Sequence, residues 1–447
     1  MTDMSVIDDF SIHEGTLLAS SYEVLAFLGE GCYGKVAMCI DHVTNTMKAV
    51  KINKDRPIFF QRALEEIKIL QKLQALDADE CGLVKWYGSF YHEKYICLEF
   101  EILDLSLYEY TLQRQHNALS IAEIRPVLRQ LTTALLHLKA LEIIHADLKP
   151  ENIMVVNRFK HPLQVKLIDF GLARHVSEAI PGTTVQSLWY RAPEVILGMD
   201  FSEQIDMWSL GAVVAEIAAG FGLFPADHEY DALKLIVDLV GQPPDFLLNC
   251  GQKSSFYFNI EESHNQQTWR LKTPWEITAQ TGHHFRGNPF FYLTSLDDLV
   301  EVIPYRTLAK REELLNFVDL LKKMLVPDKY GRIIPLKVLE HPFFAVEQDP
   351  DVSQSMETVI VEMREVEPSV TPQPSQSIQS VVFKAMTPPE QTVSAHPESY
   401  SVKLEDKAAH IEPEVIVKTT GKQSCRVRRF LKRIRNALFS CVRCGSK

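Results

Sequence analysis

The sequence has no run of about 18 apolar residues, the length a helix needs to cross a bilayer. Its best stretch, residues 210–224, is interrupted by Glu216 and several glycines, so no membrane span is expected. The first ten residues lack a basic segment and carry three aspartates, which argues against a secretory signal peptide. Cysteine is sparse: eight in 447 residues. The one Cys-x-x-Cys, Cys441 to Cys444, has no second pair at zinc-site spacing. With no export signal, reduced thiols in the cytosol or nucleus are expected. No internal repeat is visible. The net charge of −11 argues against a nucleic-acid binder along the whole chain, and no direct nucleic-acid contact is expected.

What is present is a globular balance, 46% hydrophobic and 23% charged. At roughly 100–200 residues per domain, the length suggests two to four folding units. Residues 1–21 read as an N-terminal extension. Residues 22–344 alternate apolar runs with turn signals. Residues 345–421 are acidic, rich in Ser, Thr, Pro, Gln and Glu, and poor in aromatics. Such a composition buries too little apolar surface to offset its ordering entropy, so this segment is expected to be mostly disordered. Residues 422–447 reverse the charge, with nine bases and no acid.

Within 22–344 the pattern runs from β to α. Tyr22 to Ile52 reads as short strands joined by Gly and by a Val43-Thr44-Asn45-Thr46 turn. Leu64, Ile67, Leu70 and Leu73 fall at helical spacing within residues 59–76. Residues 95–101 read as a strand. From Ser120 onward helices dominate, over residues 121–141, 204–219, 231–240 and 311–324. A small β-rich unit with one helix therefore precedes a larger helical one, an α+β chain.

Residues 28–36 read Leu-Gly-Glu-Gly-Cys-Tyr-Gly-Lys-Val. Gly29, Gly31 and Gly34 permit backbone to approach phosphate oxygens with no Cβ in the way. A glycine pattern of this kind is also an ordinary turn. A dinucleotide loop needs a helix directly afterward, whereas residues 36–40 are strand-like. A Walker loop needs Ser or Thr after the lysine, and Val36 stands there. The GxGxxGxV loop between two strands, as in protein kinases, fits at every defined position.

Further motifs follow in the order that chemistry requires. Ala49-Val50-Lys51 places a lysine on the next strand, at a spacing suited to the α and β phosphates. Glu66, on the following helix, is the candidate partner of Lys51, with Glu65 its neighbouring competitor. His145-Ala146-Asp147-Leu148-Lys149-Pro150-Glu151-Asn152 matches the HRDxKxxN catalytic loop with one change, at Ala146. Asp147 there can accept a hydroxyl proton, assistance worth about 10²–10⁴-fold in rate. Lys149 would contact the transferring phosphoryl group, and Asn152 would bind magnesium. Asp169-Phe170-Gly171 follows a strand-like run, and Asp169 would hold magnesium bridging the phosphates. Ala192-Pro193-Glu194 closes the segment, Asp206 to Gly211 opens the long helix, and Arg332 stands as the partner of Glu194.

Over residues 22–344 these motifs resemble the eukaryotic protein-kinase fold, with an N-lobe to about residue 103 and a C-lobe from 104. More narrowly, residues 144–154, residues 205–211 and Trp269-Arg270-Leu271-Lys272-Thr273-Pro274 resemble the homeodomain-interacting protein kinases. Arg191, before Ala192-Pro193-Glu194, resembles an arginine of the wider group containing the cyclin-dependent and mitogen-activated kinases. The family pattern Glu-x-x-Ile-Leu aligns on Glu66. The resemblance implies ATP-dependent, magnesium-dependent phosphorylation of Ser or Thr in proteins, often followed by Pro, with possible dual specificity. It implies Phe100 as gatekeeper and Glu101 to Leu103 as the hinge that hydrogen-bonds adenine. Leu28, Val36, Ala49, Met154 and Ile168 would sandwich the base, with Glu30, Cys32 and Tyr33 in the loop above the phosphates. The opposing reading is a catalytically weak kinase-fold scaffold, against which Lys51, Glu66, Asp147, Asn152 and Asp169 are all intact.

Two departures matter. Ala146 replaces an arginine that in many kinases clasps a loop phosphate, a change the resembled family shares. Thr184 stands where that family has a tyrosine, and Leu188 where it has an arginine. Either the loop is ordered without phosphorylation, or Thr183 or Thr184 is the modified residue.

In the tail, Thr371-Pro372 and Thr387-Pro388 are minimal proline-directed sites. Val402-Lys403-Leu404-Glu405 fits a SUMO-acceptor pattern. Val359-Ile360-Val361 and Val415-Ile416-Val417 could add as strands to a SUMO-like sheet edge. The family points to transcription regulators and SUMO-pathway proteins as partners, and to the nucleus, the cytoplasm, or both. Across residues 426–439, Val427, Phe430 or Leu431, Ile434 and Leu438 fall on one apolar helical stripe among arginines and lysines. Such a helix could meet an anionic membrane, an acidic partner or an import receptor. Family resemblance favours import. Cys425, Cys441 and Cys444 could be palmitoylated, while the Gly445-Ser446-Lys447 end lacks a prenylation box.

Overall fold

The computed structural model describes residues 12–345 except Cys32, 115–116, 264–265, 283–292 and 304–307. Both tail segments, with the SUMO-acceptor pattern and the basic helix of 426–439, lie outside the described residues, as does Cys32 of the glycine loop.

A six-stranded antiparallel sheet forms the N-terminal lobe. Its strands are β1 (Leu17–Leu18), β2 (Tyr22–Glu30), β3 (Gly34–Asp41), β4 (Thr46–Asn53), β5 (Trp86–His92) and β6 (Tyr95–Phe100), in spatial order β1-β2-β3-β4-β6-β5. Successive side chains on a strand face opposite ways. On β4 this puts Val50 and Ile52 into a small core with Val24, Ala37, Cys39, Tyr95 and Cys97. Ala49 and Lys51 alternate with them, on the face turned to the other lobe. Ile12 and Leu18 close the outer side of that core.

Helix α1 (Pro57–Leu73) starts on a proline, whose missing N–H costs nothing in the first turn. It buries Ala63, Glu66, Ile69, Leu70 and Leu73. Apolar residues at this spacing are an ordinary core stripe; a buried glutamate among them requires a partner.

The second lobe is mainly helical: α2 (Leu107–Leu112), α3 (Ile121–Ala140), α4 (Pro193–Ile196), α5 (Gln204–Ala219), α6 (Glu229–Val240), α7 (Asp245–Leu248), α8 (Ser254–Tyr257), α9 (Pro274–Thr281), α10 (Leu299–Val302), α11 (Leu308–Met324) and α12 (Pro335–Leu339). Between the helices lie β7 (Ile143–Ile144), β8 (Ile153–Asn157), β9 (His161–Leu167), β10 (Arg174–His175), β11 (Phe258–Ser263) and β12 (Gln266–Leu271), paired as three two-stranded sheets. Capping boxes start α2 at Ser106 with Glu109 and α3 at Ser120 with Glu123. Helix α5 is apolar nearly all round and buried along almost its whole length, as befits the centre of a lobe. It ends at Gly220, whose φ of 81° suits a left-handed cap. A Cβ on Gly211 would stand 3.0 Å from Leu325, so glycine there lets the chain after α11 close on α5.

The helices expected over residues 59–76, 121–141, 204–219, 231–240 and 311–324 and the strand over 95–101 lie within a few residues of α1, α3, α5, α6, α11 and β6. The α+β, two-lobed architecture is the expected one. Cys39, Cys81, Cys97 and Cys250, the described cysteines, are all free thiols. Among the described residues no helix is long and apolar enough to cross a membrane.

Candidate active site

The glycine loop is the β2–β3 turn. The Gly31 N–H donates to the Gly34 carbonyl at 2.8 Å, and the Lys54 N–H to the Tyr33 carbonyl at 2.8 Å. The three glycines serve different ends. A Cβ on Gly34 would lie 2.1 Å from the Ile52 carbonyl oxygen, so the sheet itself demands glycine there. Cβ atoms on Gly29 and Gly31 would meet open space or a contact no nearer than 3.9 Å. Their freedom serves whatever approaches the loop from outside. The Glu30 carboxylate faces Lys35 and Lys54 at 3.7 and 3.3 Å. The Tyr33 hydroxyl accepts from Arg62 of α1 at 3.1 Å.

Beneath the loop, Lys51 Nζ donates to both Glu66 oxygens at 2.8 Å and to Asp169 Oδ1 at 2.8 Å. Glu66 is 3% exposed, whereas Glu65 faces solvent, which decides between the two candidates. Burial disfavours the Lys51 ammonium, yet Asp169 and Glu66 outweigh it and raise its pKa. Burial pushes the Glu66 carboxyl up. Burial pushes Asp169 up too, but Lys51 outweighs it and takes the carboxyl down to about 2.

Across the cleft, Asp147 sits in a cage. Lys149 Nζ donates to its Oδ2 at 2.7 Å and Asn152 Nδ2 at 3.0 Å. The Ser187 hydroxyl and N–H donate to its Oδ1 at 2.8 and 3.2 Å. Ser187 also accepts from Lys149 at 3.2 Å. Burial works against the Lys149 ammonium, but Asp147 raises its pKa overall. The catalytic-loop backbone is clamped from α5: Asp206 accepts the N–H of His145 at 2.7 Å and of Ala146 at 2.9 Å. Burial lifts the Asp206 carboxyl to about 6 despite those donors. Ala146, Asp169 and Gln186 have φ of 63°, 61° and 64°. Non-glycine residues rarely adopt this region, and it persists where surrounding contacts over-determine it.

The segment after Asp169 is pinned at Gln186. Its N–H donates to the Ala146 carbonyl, and its side chain bonds Ile205, Ser209 and Ala192. Arg191 holds the Gln186 carbonyl at 2.9 Å and pairs with Glu229 at 2.9 Å. Glu194 and Arg332 form a bidentate pair at 2.7 and 2.9 Å, both nearly inaccessible.

Of the residues expected around the adenine, Val36, Phe100, Leu103, Met154 and Ile168 are half-buried, Ala49 is buried and Leu28 is exposed. The Glu101 N–H is engaged by the Lys85 carbonyl at 3.1 Å. Its carboxylate turns to Lys166 and the Lys85 N–H, both at 2.6 Å. The Glu101 carbonyl and Leu103 N–H make no hydrogen bond among the described residues, one acceptor and one donor at the base of the cleft.

The donor set fits ATP with a hard cation. Both Asn152 amide hydrogens are spent on Asp147, which leaves Asn152 Oδ1 for a metal beside Asp169 Oδ2. Among the described residues no three His, Cys, Asp or Glu form a self-contained metal site. Magnesium, which takes most of its oxygens from phosphates and water, needs only one or two protein oxygens.

A model of the protein kinase domain family matches residues 22–344. The chain belongs to this family. It is 42% identical over 344 residues to homeodomain-interacting protein kinase 1 of Mus musculus, covering 75% of this chain and 28% of that protein. It is 43% identical over 332 residues to homeodomain-interacting protein kinase 2 of Mesocricetus auratus, covering 73% and 28%. Serine/threonine-protein kinase ppk15 of Schizosaccharomyces pombe is 36% identical over 352 residues, covering 76% and 65%. The chain thus spans little more than a quarter of the first two relatives. Of the site residues the resemblance implies, all but Cys32 lie among the described residues. Sequence reasoning missed three contributors. Gln186 and Ser187, between Thr184 and Leu188, have no role assigned from sequence, and Asp206 there only opens a helix. Their partners lie between 5 and 61 positions away, and nothing local signals them.

Proposed function

We propose that this chain is an ATP- and magnesium-dependent protein serine/threonine kinase that prefers an acceptor followed by proline. One observation carries the transfer reading: Lys51 bridges Glu66 and Asp169 at 2.8 Å while the Asp147 carboxylate is aimed by Lys149, Asn152 and Ser187. In this reading Lys51 grips the α and β phosphates and Glu66 holds Lys51. Asp169 and Asn152 carry magnesium, which neutralises charge on the transferred group. Asp147 accepts the proton of the substrate hydroxyl and orients it, and Lys149 meets the phosphoryl oxygens. The loop backbone at Gly29, Gly31 and Gly34 covers the phosphates, and Glu101 and Leu103 read the adenine edge.

The preference for proline is supported at Gln186. Its carbonyl is turned into Arg191 by a left-handed backbone, so it cannot accept an N–H from the residue after the acceptor. Proline has no such N–H to leave unsatisfied. The hold on Gln186 by Ala146, Ile205 and Ser209 also supports a segment ordered by its own contacts, with Thr184 in place of a tyrosine. Residues 22–344 would be the catalytic domain, and the acidic and basic tail segments would serve partners and location, in nucleus or cytoplasm. The relatives' printed names favour homeodomain-type transcription regulators among those partners.

A positional peptide library phosphorylated by the full chain, beside an Asp147→Asn control, tests this. The expected result is Ser/Thr transfer, proline selected after the acceptor, and no transfer by the control. Equal inactivity of both chains in saturating magnesium-ATP would overturn the enzyme reading.

A further inference from the structure

Lys166 of β9 is the most deeply buried lysine among the described residues, with 1% of its surface exposed. A lysine is almost never buried this far without a partner. Its register partner on β8 is Met154, one of the residues expected around the adenine. Opposed residues on paired strands share a face, so Lys166 leaves its strand on the side of Met154. Its ammonium donates to Glu101 Oε1 at 2.6 Å and to Asp79 Oδ1 at 2.5 Å. Burial works against that charge, yet the hydrogen bonds to Asp79 and Glu101 outweigh it and raise the pKa. Phosphoryl transfer as proposed above leaves this cation without a task. Fold stability is a weak reason for it, because the cost of desolvating a buried pair commonly offsets its attraction.

The carboxylate that Lys166 holds belongs to the hinge. Glu101 follows Phe100, and its N–H donates to the Lys85 carbonyl at 3.1 Å. The same Oε1 that meets Lys166 also accepts the Lys85 N–H at 2.6 Å. With N–H and side chain both held, rotation about the last backbone bond of Glu101 is the freedom left to its carbonyl. That carbonyl is the acceptor offered to the adenine amino group. Asp79, in the segment after α1, has a side chain 67% exposed, so its tie to Lys166 reaches the hinge from the surface.

We propose that Lys166 is a positioning residue of the nucleotide site. By holding the Glu101 carboxylate it sets where the Glu101 carbonyl stands, and so confers selection for a base that bears an amino group. This role rests on the cleft being an ATP site, as proposed above. Lys166 acts through Glu101 rather than on the nucleotide. A site built to hydrogen-bond one group rejects the analogue lacking it, and does so only while its own partners stay aimed. Without the ammonium, the Glu101 carboxylate keeps the Lys85 N–H alone, and the hinge carbonyl loses its fixed origin.

The test uses the full wild-type chain and Lys166→Met, titrated calorimetrically with ADP or with inosine diphosphate in magnesium buffer. The two nucleotides share ribose and phosphates and differ at the base edge, where an oxo group replaces the amino group. The wild-type chain is expected to favour ADP. Lys166→Met is expected to lower that preference about fivefold, the worth of one ordinary hydrogen bond, with inosine diphosphate affinity nearly unchanged. Glu101→Gln keeps the shape and an acceptor for the Lys85 N–H, and it replaces Lys166→Met should that chain fail to fold. Its weaker, uncharged hold is expected to lower the preference about twofold. A purely structural role lowers the thermal midpoint and leaves the preference where it was. An unchanged preference in Lys166→Met, or in Glu101→Gln where the former does not fold, overturns the role. A wild-type chain that binds ADP and inosine diphosphate equally overturns it as well, and one that binds neither overturns the ATP-site reading with it. None of these readouts requires phosphoryl transfer.

Discussion

The Ser187 hydroxyl donates a hydrogen bond to Asp147 Oδ1 at 2.8 Å, from 40 residues along the chain. The carboxylate expected to accept a substrate proton is thus oriented by the segment that the substrate must pass. Two hydrogen bonds from Ser187 tie that carboxylate to the segment.

Removing that hydroxyl should therefore act on the chemical step. Ser187→Ala is expected to lower kcat about tenfold, as loss of a charge-assisted hydrogen bond of about 1.5 kcal/mol implies. Ser187→Thr, which keeps the hydroxyl, should retain most of the rate. Steady-state transfer to a peptide substrate measures both, and equal rates for the Ala and Thr variants would contradict the role.

The glycines of the loop should separate into two classes. Gly34→Ala drives a Cβ into the Ile52 carbonyl and is expected to destabilise the fold by about 1–3 kcal/mol. Gly31→Ala meets no protein atom nearer than 3.9 Å, so its denaturation midpoint should match wild type while KM for ATP rises. Urea denaturation and nucleotide kinetics on the two variants decide this.

Arg191 should govern the preference after the acceptor. Arg191→Lys replaces a fork that holds the Gln186 carbonyl by a single ammonium. The ratio of kcat/KM for Pro over Ala at that position is expected to fall by roughly threefold to tenfold, a change of about 1 kcal/mol. An unchanged ratio would separate Arg191 from specificity.

Glu216 gives a pH signature. Burial raises its carboxyl to about 7, although the Tyr190 hydroxyl donating at 2.8 Å favours the ionised form. A raised folded-state pKa means the contribution is complete below the ordinary glutamate range and is lost as pH rises through about 7. Glu216→Gln keeps a neutral acceptor for Tyr190 and removes the titration. Between pH 5 and pH 8, wild type should lose on the order of 2 kcal/mol relative to the variant. Chemical denaturation of both proteins at the two values checks the sign and size.

Much of the site was legible because its chemistry is carried by contiguous residues. Lys51, Asp147, Lys149, Asn152 and Asp169 each lie in a short motif whose neighbours set the strand or loop that presents them. Alternation on β4 alone says that Lys51 faces away from Val50 and Ile52. The choice of Glu66 over Glu65 needed only the apolar stripe of α1 and the family pattern. The change from strands to helices along the chain and the charge reversal at its end follow equally from local composition and period.

Other relations join residues that no local pattern links. Asp206 clamps a backbone 60 positions earlier, Ser187 holds Asp147, Arg191 takes the Gln186 carbonyl, and Arg62 of α1 meets Tyr33 of the glycine loop. A hydrogen bond is decided within about 0.5 Å and a few tens of degrees, and only the packed chain sets distances that finely. The sequence by itself determined the family and the groups its motifs offer for the proposed phosphoryl transfer. The tertiary structure decided which side chains hold Asp147 and which takes the Gln186 carbonyl.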